Sequence, residues 1–317
     1  MEVISVKKQL ILLMALLATV MLSACSVKPG FSLEPSFGTS ATSTKGSSDT
    51  LTIGLSISTL NNPFFVTLSE NAEAKARELG VNTTIVDAQD NASKQASDIE
   101  DLIQQNVDLI IINPVDSVAV ATAVESANAL NIPVITVDRS SEGGEVVSHI
   151  ASDNVAGGKL AGEYITELVG EGAKVVELEG VAGSSAARDR GQGFNEAVTG
   201  ILDVVAKQTA NFNRSEGLTV MENILQSNPD VTAVFAHNDE MALGAQEAIS
   251  ASGKKIVVVG FDATDDAVAA VKAGSLAATV AQKPDEIGKI AMETAIAYLN
   301  GETVEEVIPV NLDLITK

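Results

Sequence analysis

Polar side chains stand directly after the apolar runs of this chain, where a plain turn does not require them. Ser58 follows "LTIGLSI" (51–57), Asn113 follows "DLIII" (108–112), and Asp138 and Arg139 follow "IPVITV" (132–137). Asn238 and Asp239 come after "VTAVFA" (231–236), Asp262 ends "KIVVVGF" (255–261), and Gln282 follows "LAATVA" (276–281). Asn, Asp and Ser are also favoured caps and turn residues, and Asp239 and Ser117 read as caps. Arg139 and Gln282 are poor caps, yet they recur at the same place. Together with Arg190, the set opposes two arginines to Asp138 and Asp262 and is formally neutral. An anionic ligand would favour surplus cations, and a polyamine surplus carboxylates. A neutral molecule with many hydroxyls suits mixed Asp, Asn, Arg and Gln, because each hydroxyl both donates and accepts.

The stretch "STLNNPFFVTL" (58–68) places Phe64 and Phe65 side by side in a chain with eight phenylalanines and no tryptophan. Phe65 fits the apolar stripe of a following helix and Phe64 lies off it. Against a sugar, such rings would cover the C–H faces. Other chemistries lack their residues. His149 and His237 are far apart, without a carboxylate at metal-ligand spacing. The single cysteine, Cys25, excludes disulfides, zinc–cysteine sites and a thiol nucleophile in the folded body. "NVAGGKL" has a Gly-Gly-Lys but neither the first glycine nor the Ser/Thr of a phosphate loop, so it reads as a helix start. "EGVAGSSAARDRG" resembles a glycine-rich phosphate turn without the dinucleotide spacing, and there is no Gly-x-Ser-x-Gly elbow. Nothing suggests covalent chemistry or a cofactor, so the chain does not read as an enzyme. A formal net charge of −22 argues against nucleic acid as a partner.

The elements that must position these side chains alternate between strand and helix. Besides the six runs above, "NTTIVDA" (82–88) and "AKVVELEG" (173–180) read as strands. Phe65, Leu68, Ala72, Ala76 and Leu79 share a helical face that Gly80 terminates, and Ala92, Ala96, Ile99 and Ile103 form another. Near-continuous apolar strands between amphipathic helices indicate α/β architecture, with parallel sheets covered on both sides. The number of units exceeds one open sheet, which predicts two similar doubly wound lobes. The break is expected near "HIASDNVAGGK" (149–159). In such sheets ligands bind outside the carboxyl ends of the strands, which is where the polar set falls.

The first fifty residues are of another kind. Lys7 and Lys8 precede an apolar run, Leu10 to Leu22, of signal-peptide length, ending in Leu22-Ser23-Ala24-Cys25. This looks like a lipobox: residues 1–24 would be removed as a lipoprotein signal peptide and Cys25 lipidated. Residues 26–50, rich in Ser, Thr, Gly and Pro, keep no apolar period and read as a flexible tether reaching roughly 25–30 Å. The folded body would then be anchored to the membrane on the outer face of the cytoplasmic membrane, in the cell envelope.

Several strings in one order, "STLNNPFFV", "IINPVDS", "IPVITVDR", "VVSHIASDNVAGGK", "GSSAARDRGQGF", "FAHNDEMALGA", "VVGFDAT" and "ATVAQKPDEIG", resemble the bacterial ribose-binding proteins. These belong to the pentose/hexose branch of the periplasmic-type sugar-binding proteins, and the resemblance covers essentially all of 51–317. It implies a type I periplasmic binding protein, with two doubly wound lobes joined by a three-segment hinge. The N-terminal lobe would take 51–152 and 283–311, and the C-terminal lobe 153–282 and 312–317. It implies sugar contacts at Ser58, Asn62, Phe64, Phe65, Asn113, Asp138 and Arg139 of one lobe. From the other come Arg190, Phe212, Asn238, Asp262 and Gln282. Asn62, the phenylalanine pair as a ring clamp, Arg190 as a hydroxyl partner and Phe212 come from the resemblance alone. The function implied is a solute-binding subunit that closes its hinge on D-ribose and delivers it to the permease and ATPase subunits of an ABC importer. Another neutral monosaccharide, or a sugar-sensing role for a membrane receptor, are the alternatives. The family's usual secretion signal is soluble, so the lipobox is a departure affecting localisation and not the site.

Overall fold

The structure, a computed structural model, describes residues 50–317; the leader, Cys25 and the tether lie outside the described residues. The first sheet is built from β1 (Thr52–Ile57), β2 (Asn82–Asp87), β3 (Leu109–Ile112), β4 (Val134–Val137), β5 (Ser148–Ser152) and β11 (Val307–Val310). Its strands run parallel in the order β11-β5-β4-β3-β1-β2. The second contains β6 (Lys174–Glu179), β7 (Asp203–Thr209), β8 (Ala233–Ala236), β9 (Val257–Asp262), β10 (Ala278–Ala281) and β12 (Asp313–Thr316). Its order is β12-β10-β9-β8-β6-β7, and only β12 is antiparallel to its neighbour. The chain passes from the first sheet to the second after β5, returns after β10, and crosses a third time between β11 and β12.

Both sheets are covered on two faces, as a parallel sheet must be when its strands carry apolar side chains on both sides. In β3, Leu109 and Ile111 join the core under α1 (Pro63–Leu79) and α9 (Pro284–Leu299). The alternate residues Ile110 and Ile112 face α2 (Ala92–Gln104) and α3 (Ala121–Ala129). In the second sheet, Val234 and Ala236 face α6 (Arg214–Ser227), α7 (Asp239–Ser252) and α8 (Asp265–Ala273). Ala233 and Phe235 face α4 (Asn154–Val169) and α5 (Ser185–Val198), where Phe235 stacks on Phe194 at 4.8 Å. Each fully buried Ile, Leu or Phe contributes roughly 1.5–3 kcal/mol of burial, so these four clusters hold the lobes together.

The helix carrying the phenylalanine pair begins and ends on local signals. The Asn62 side chain accepts from the Phe64 N–H, Pro63 opens the first turn without needing a donor, and Gly80 closes the helix at φ 73°. Two expectations about this helix are corrected. Leu79 is not on the buried face: it is 41% exposed, turned outward where the left-handed cap unwinds the helix. Phe64 is not off the core, for it is as buried as Phe65 and belongs to the same cluster. Residues of β1 and α9 share that cluster, so the apolar surface of α1 is wider than a single stripe.

Candidate functional site

In both sheets the strand order reverses once, between β1 and β3 and between β6 and β8. The crevice at such a switch point is where α/β sheets bind ligands. The two crevices face each other, and a small cavity lies between them. Asn62, Phe64, Phe65, Asp138 and Arg139 line it from the first lobe, and Arg190, Phe212, Asn238, Asp262 and Gln282 from the second. Ser58 and Asn113 do not line it. Both are fully buried one layer behind: Asn113 Nδ2 donates to Asp138 Oδ2 (3.4 Å) and to the Val137 carbonyl, and Asn113 Oδ1 accepts from the Ser58 N–H. Ala186, in the first turn of α5, completes the wall. A small apolar residue there carries no signal in the sequence.

Each lining residue is placed by the element it ends or starts. Asn62 and Asn238 are both N-caps, so one side-chain oxygen satisfies a helix while the amide nitrogen remains at the cleft. Asn238 Nδ2 also donates to the Phe212 carbonyl (3.3 Å), holding the loop before α6. Asp138 and Asp262 sit at φ 61° and 120°, and Phe212 at 58°. Non-glycine residues avoid this region at a cost of order 1–3 kcal/mol each, and such strain clusters where a side chain must be aimed. Gln282 Nε2 donates to Asp262 Oδ1 (2.9 Å).

The charges interlock across the cleft. Arg139, from the first lobe, stacks between Phe65 of its own lobe (5.1 Å) and Phe212 of the other (5.2 Å), and donates to the Pro114 carbonyl. Arg190 lies over Phe261 at 3.9 Å, with Asp262 at 3.7 Å and, from the opposite lobe, Asp138 at 3.9 Å. All four charged groups are almost fully buried, and two cations balance two carboxylates. Burial pushes the Asp262 carboxyl well above its ordinary value, against the pull of Arg190. Among the described residues, the buried side-chain atoms without a hydrogen-bond partner in the protein include Ser58 Oγ, Asp138 Oδ1, Arg139 Nε and Gln282 Oε1. Three of these belong to the wall, the donor Arg139 Nε and the acceptors Asp138 Oδ1 and Gln282 Oε1; a buried polar atom without a partner is costly, so such a wall suits a ligand with hydroxyl groups.

Two residues read as simple caps do more. Asp239 is not the cap of α7, which is Asn238; it accepts from the Thr264 N–H (2.8 Å) and Thr279 Oγ (2.7 Å), tying α7 to β10. Burial raises its carboxyl to about 7. Ser117 joins the lobes: its N–H donates to the Gly183 carbonyl (2.9 Å) and its Oγ accepts from the Ser185 N–H (3.2 Å). Beside it, the Ser140 N–H donates to Ser185 Oγ, and Arg188 pairs with Glu142. The glycine-rich turn of "EGVAGSSAARDRG" therefore receives a loop of the opposing lobe.

Behind Arg190, His237 and Glu177 form a fully buried pair. Arg190 Nη1 donates to the His237 carbonyl (2.6 Å), and His237 Nε2 lies 2.9 Å from Glu177 Oε1, while Nδ1 is placed to accept from the Gly180 N–H. Burial pushes the His237 imidazole down, more than Glu177 raises it. Burial alone would raise the Glu177 carboxyl, but hydrogen bonds from His237 and Asn195 and the charge of Lys207 hold it below the usual range. Both groups have folded pKa values below their unfolded ones: the stabilisation from His237 is present above about pH 6.5 and is lost as the pH falls below it, and that from Glu177 is lost only below about pH 4.5. Burial-raised carboxyls such as Asp239 act with the opposite sign over this range, so the test is the difference: between pH 7 and pH 5 the wild type should lose melting temperature relative to His237→Gln. An unchanged profile in the variant, followed by thermal melts, would exclude His237 as the source.

The sequence matches the family described as periplasmic binding protein domain over residues 53–303. The chain is 54% identical over 301 residues to the ribose import binding protein of Bacillus subtilis (strain 168), covering 95% of this chain and 96% of that protein. It is 54% identical over 268 residues to the ribose import binding protein of Escherichia coli (strain K12), covering 84% and 90%. Among solved structures, the Caulobacter myo-inositol binding protein bound to myo-inositol is similar with a TM-score of 0.81 at 35% identity, over 84% of this chain and 93% of that one. Two parallel-sheet lobes, a polar cavity at their facing switch points and these similarities agree: the chain belongs to the periplasmic binding protein domain family.

Proposed function

We propose that the protein is the extracytoplasmic solute-binding subunit of an ABC sugar importer and takes D-ribose into the cavity between its lobes. The observation that carries this reading is the charge-balanced, aromatic-lined cavity walled by both lobes, and the ribose import relatives at 54% identity support the choice of sugar. Phe64, Phe65 and Phe212 cover the C–H faces of the ring. Asn62, Asp138, Arg139, Arg190, Asn238, Asp262 and Gln282 exchange hydrogen bonds with its hydroxyls, with Ser58 and Asn113 supporting Asp138 from behind. The crossings after residues 152, 282 and 311 act as the hinge. A sugar that touches both lobes has higher affinity for the closed arrangement and shifts the population towards it.

The membrane permease with its ATPase then recognises the closed lobes and receives the sugar unchanged, with no cofactor and no chemistry on the ligand. Cys25 carries the lipid after loss of residues 1–24, and residues 26–50 leash the body to the outer face of the cytoplasmic membrane. Titration calorimetry of the full chain with D-ribose, freed of co-purified sugar by unfolding and refolding, should give one-to-one binding and a matching rise in melting temperature. Intact mass of the cell-derived protein reads the anchor. A folded sample that gives no heat with D-ribose would exclude ribose, and D-apiose and myo-inositol would be tried next.

A further inference from the structure

Arg190 is held by its own lobe at three points. Phe261 supports the face of the guanidinium, the His237 carbonyl takes Nη1, and Asn154 Oδ1 takes Nε at 2.8 Å. Phe261 and His237 come from strand ends facing the cleft. Asn154 does not: it is the first residue of α4, two positions after the end of β5, where the chain crosses from one lobe to the other. It is 5% exposed, and its Nδ2 lies 3.4 Å from the Ser152 carbonyl on the far side of the crossing.

The string "NVAGGKLAG" explains how a residue of α4 reaches this arginine. Gly158 and Gly162 follow Asn154 by one and two turns and share its face of the helix. A Cβ at Gly158 would overlap the Arg190 carbonyl, and one at Gly162 would press on Ala197 and Val198. The helix start that looked like an incomplete phosphate loop thus lets α4 lie backbone to backbone against α5, bringing Asn154 within hydrogen-bond reach of Nε.

A guanidinium is planar, so fixing Nε and Nη1 fixes the direction of Nη2, here towards Asp138 and the cavity. We infer that Asn154 is a positioning residue for Arg190, and that through it the aim of the arginine is tied to the backbone of the lobe crossing. The inference rests on the reading that this cavity takes D-ribose, and its test separates the two.

Asn154→Leu keeps similar bulk without an acceptor, whereas Asn154→Asp keeps the acceptor. The full chain carrying Asn154→Leu should bind D-ribose about ten- to hundredfold more weakly, and Asn154→Asp should stay within about threefold of wild type. Combined with Arg190→Ala, Asn154→Leu should cause no further loss, because its effect passes through that side chain. If leucine is not accommodated, Asn154→Ser, too short to reach Nε, carries the same comparison. By NMR without any sugar, the Arg190 Nε–H resonance should shift and exchange faster in Asn154→Leu and remain in place in Asn154→Asp. Wild-type affinity in Asn154→Leu, or losses that add in the double variant, would overturn the inference. If the wild-type chain does not take D-ribose, the reading of the cavity fails, and an unmoved Nε–H resonance in Asn154→Leu would overturn the positioning role.

Discussion

Replacing Arg190 with alanine should weaken D-ribose binding by about a thousandfold or more while leaving the secondary structure intact. Two losses combine. The sugar loses donors that Nη2 holds at the middle of the cavity, and hydrogen bonds to a charged group are worth roughly 1.5–3 kcal/mol. Asp138 and Asp262, at 3.9 and 3.7 Å from the guanidinium, would also be left in a buried site with one fewer cation. Removing one partner of a buried pair typically costs about 3–5 kcal/mol, and every 1.4 kcal/mol is tenfold in affinity. Arg190→Lys should not restore binding, because an ammonium cannot span Asn154, the His237 carbonyl and the cleft together. Calorimetry and circular dichroism on the same samples check both halves of this expectation. Affinity within tenfold of wild type would remove Arg190 from the site.

The second large effect is expected at a residue that does not line the cavity. Gly183 lies where the Asp116–Ser117 loop of the first lobe meets the turn before α5, and a Cβ there would overlap the Asp116 carboxylate. Its φ is not in the left-handed region, so a larger residue costs nothing locally when the lobes are apart. Gly183→Val should therefore leave the melting temperature of the sugar-free protein unchanged and penalise only the closed arrangement. Overpacking of this kind costs about 1–3 kcal/mol, which predicts roughly ten- to hundredfold weaker ribose binding. The change should fall mainly on the dissociation rate, read by stopped-flow fluorescence of an attached dye. Unchanged affinity would mean that the two loops do not meet in the sugar complex.

The two predictions differ in how visible their residues are in the sequence. Asp138, Asp262 and Gln282 declare themselves because a parallel strand is apolar up to its end, so a polar residue there stands out. The central strands β3, β8 and β9 are legible for the same reason. Strands β7, β11 and β12 are not among the apolar runs: each is an edge strand with two or more exposed residues, Val307 and Pro309 in β11, whereas the edge strand β2 exposes only Asn82 and is legible. Arg190 sits inside a helix, where spacing alone gives it no role, and only the family resemblance singles it out. Ser117 and Gly183 read as cap and turn because their function depends on a partner many residues away. Asn154 is hidden similarly: its capping-type chemistry suits a helix start, and only the approach of α5 shows what its oxygen accepts.

The threading of the chain has a consequence for how the protein is made. Strand β11 completes the first sheet and β12 the second, and α9 supplies Ile287, Ala291, Met292 and Ala295 to the core of the first lobe. Neither lobe is a contiguous stretch, so neither can be finished while the last part of the chain is still inside the ribosome. Contacts this distant in sequence also slow the search for the native state. For a family that works outside the cytoplasm, that delay is useful: a chain unable to close either lobe until synthesis ends stays threadable for longer and can reach the export channel before it folds. The same design makes late truncations severe, because a stop codon ahead of residue 307 deprives both halves of an edge at once.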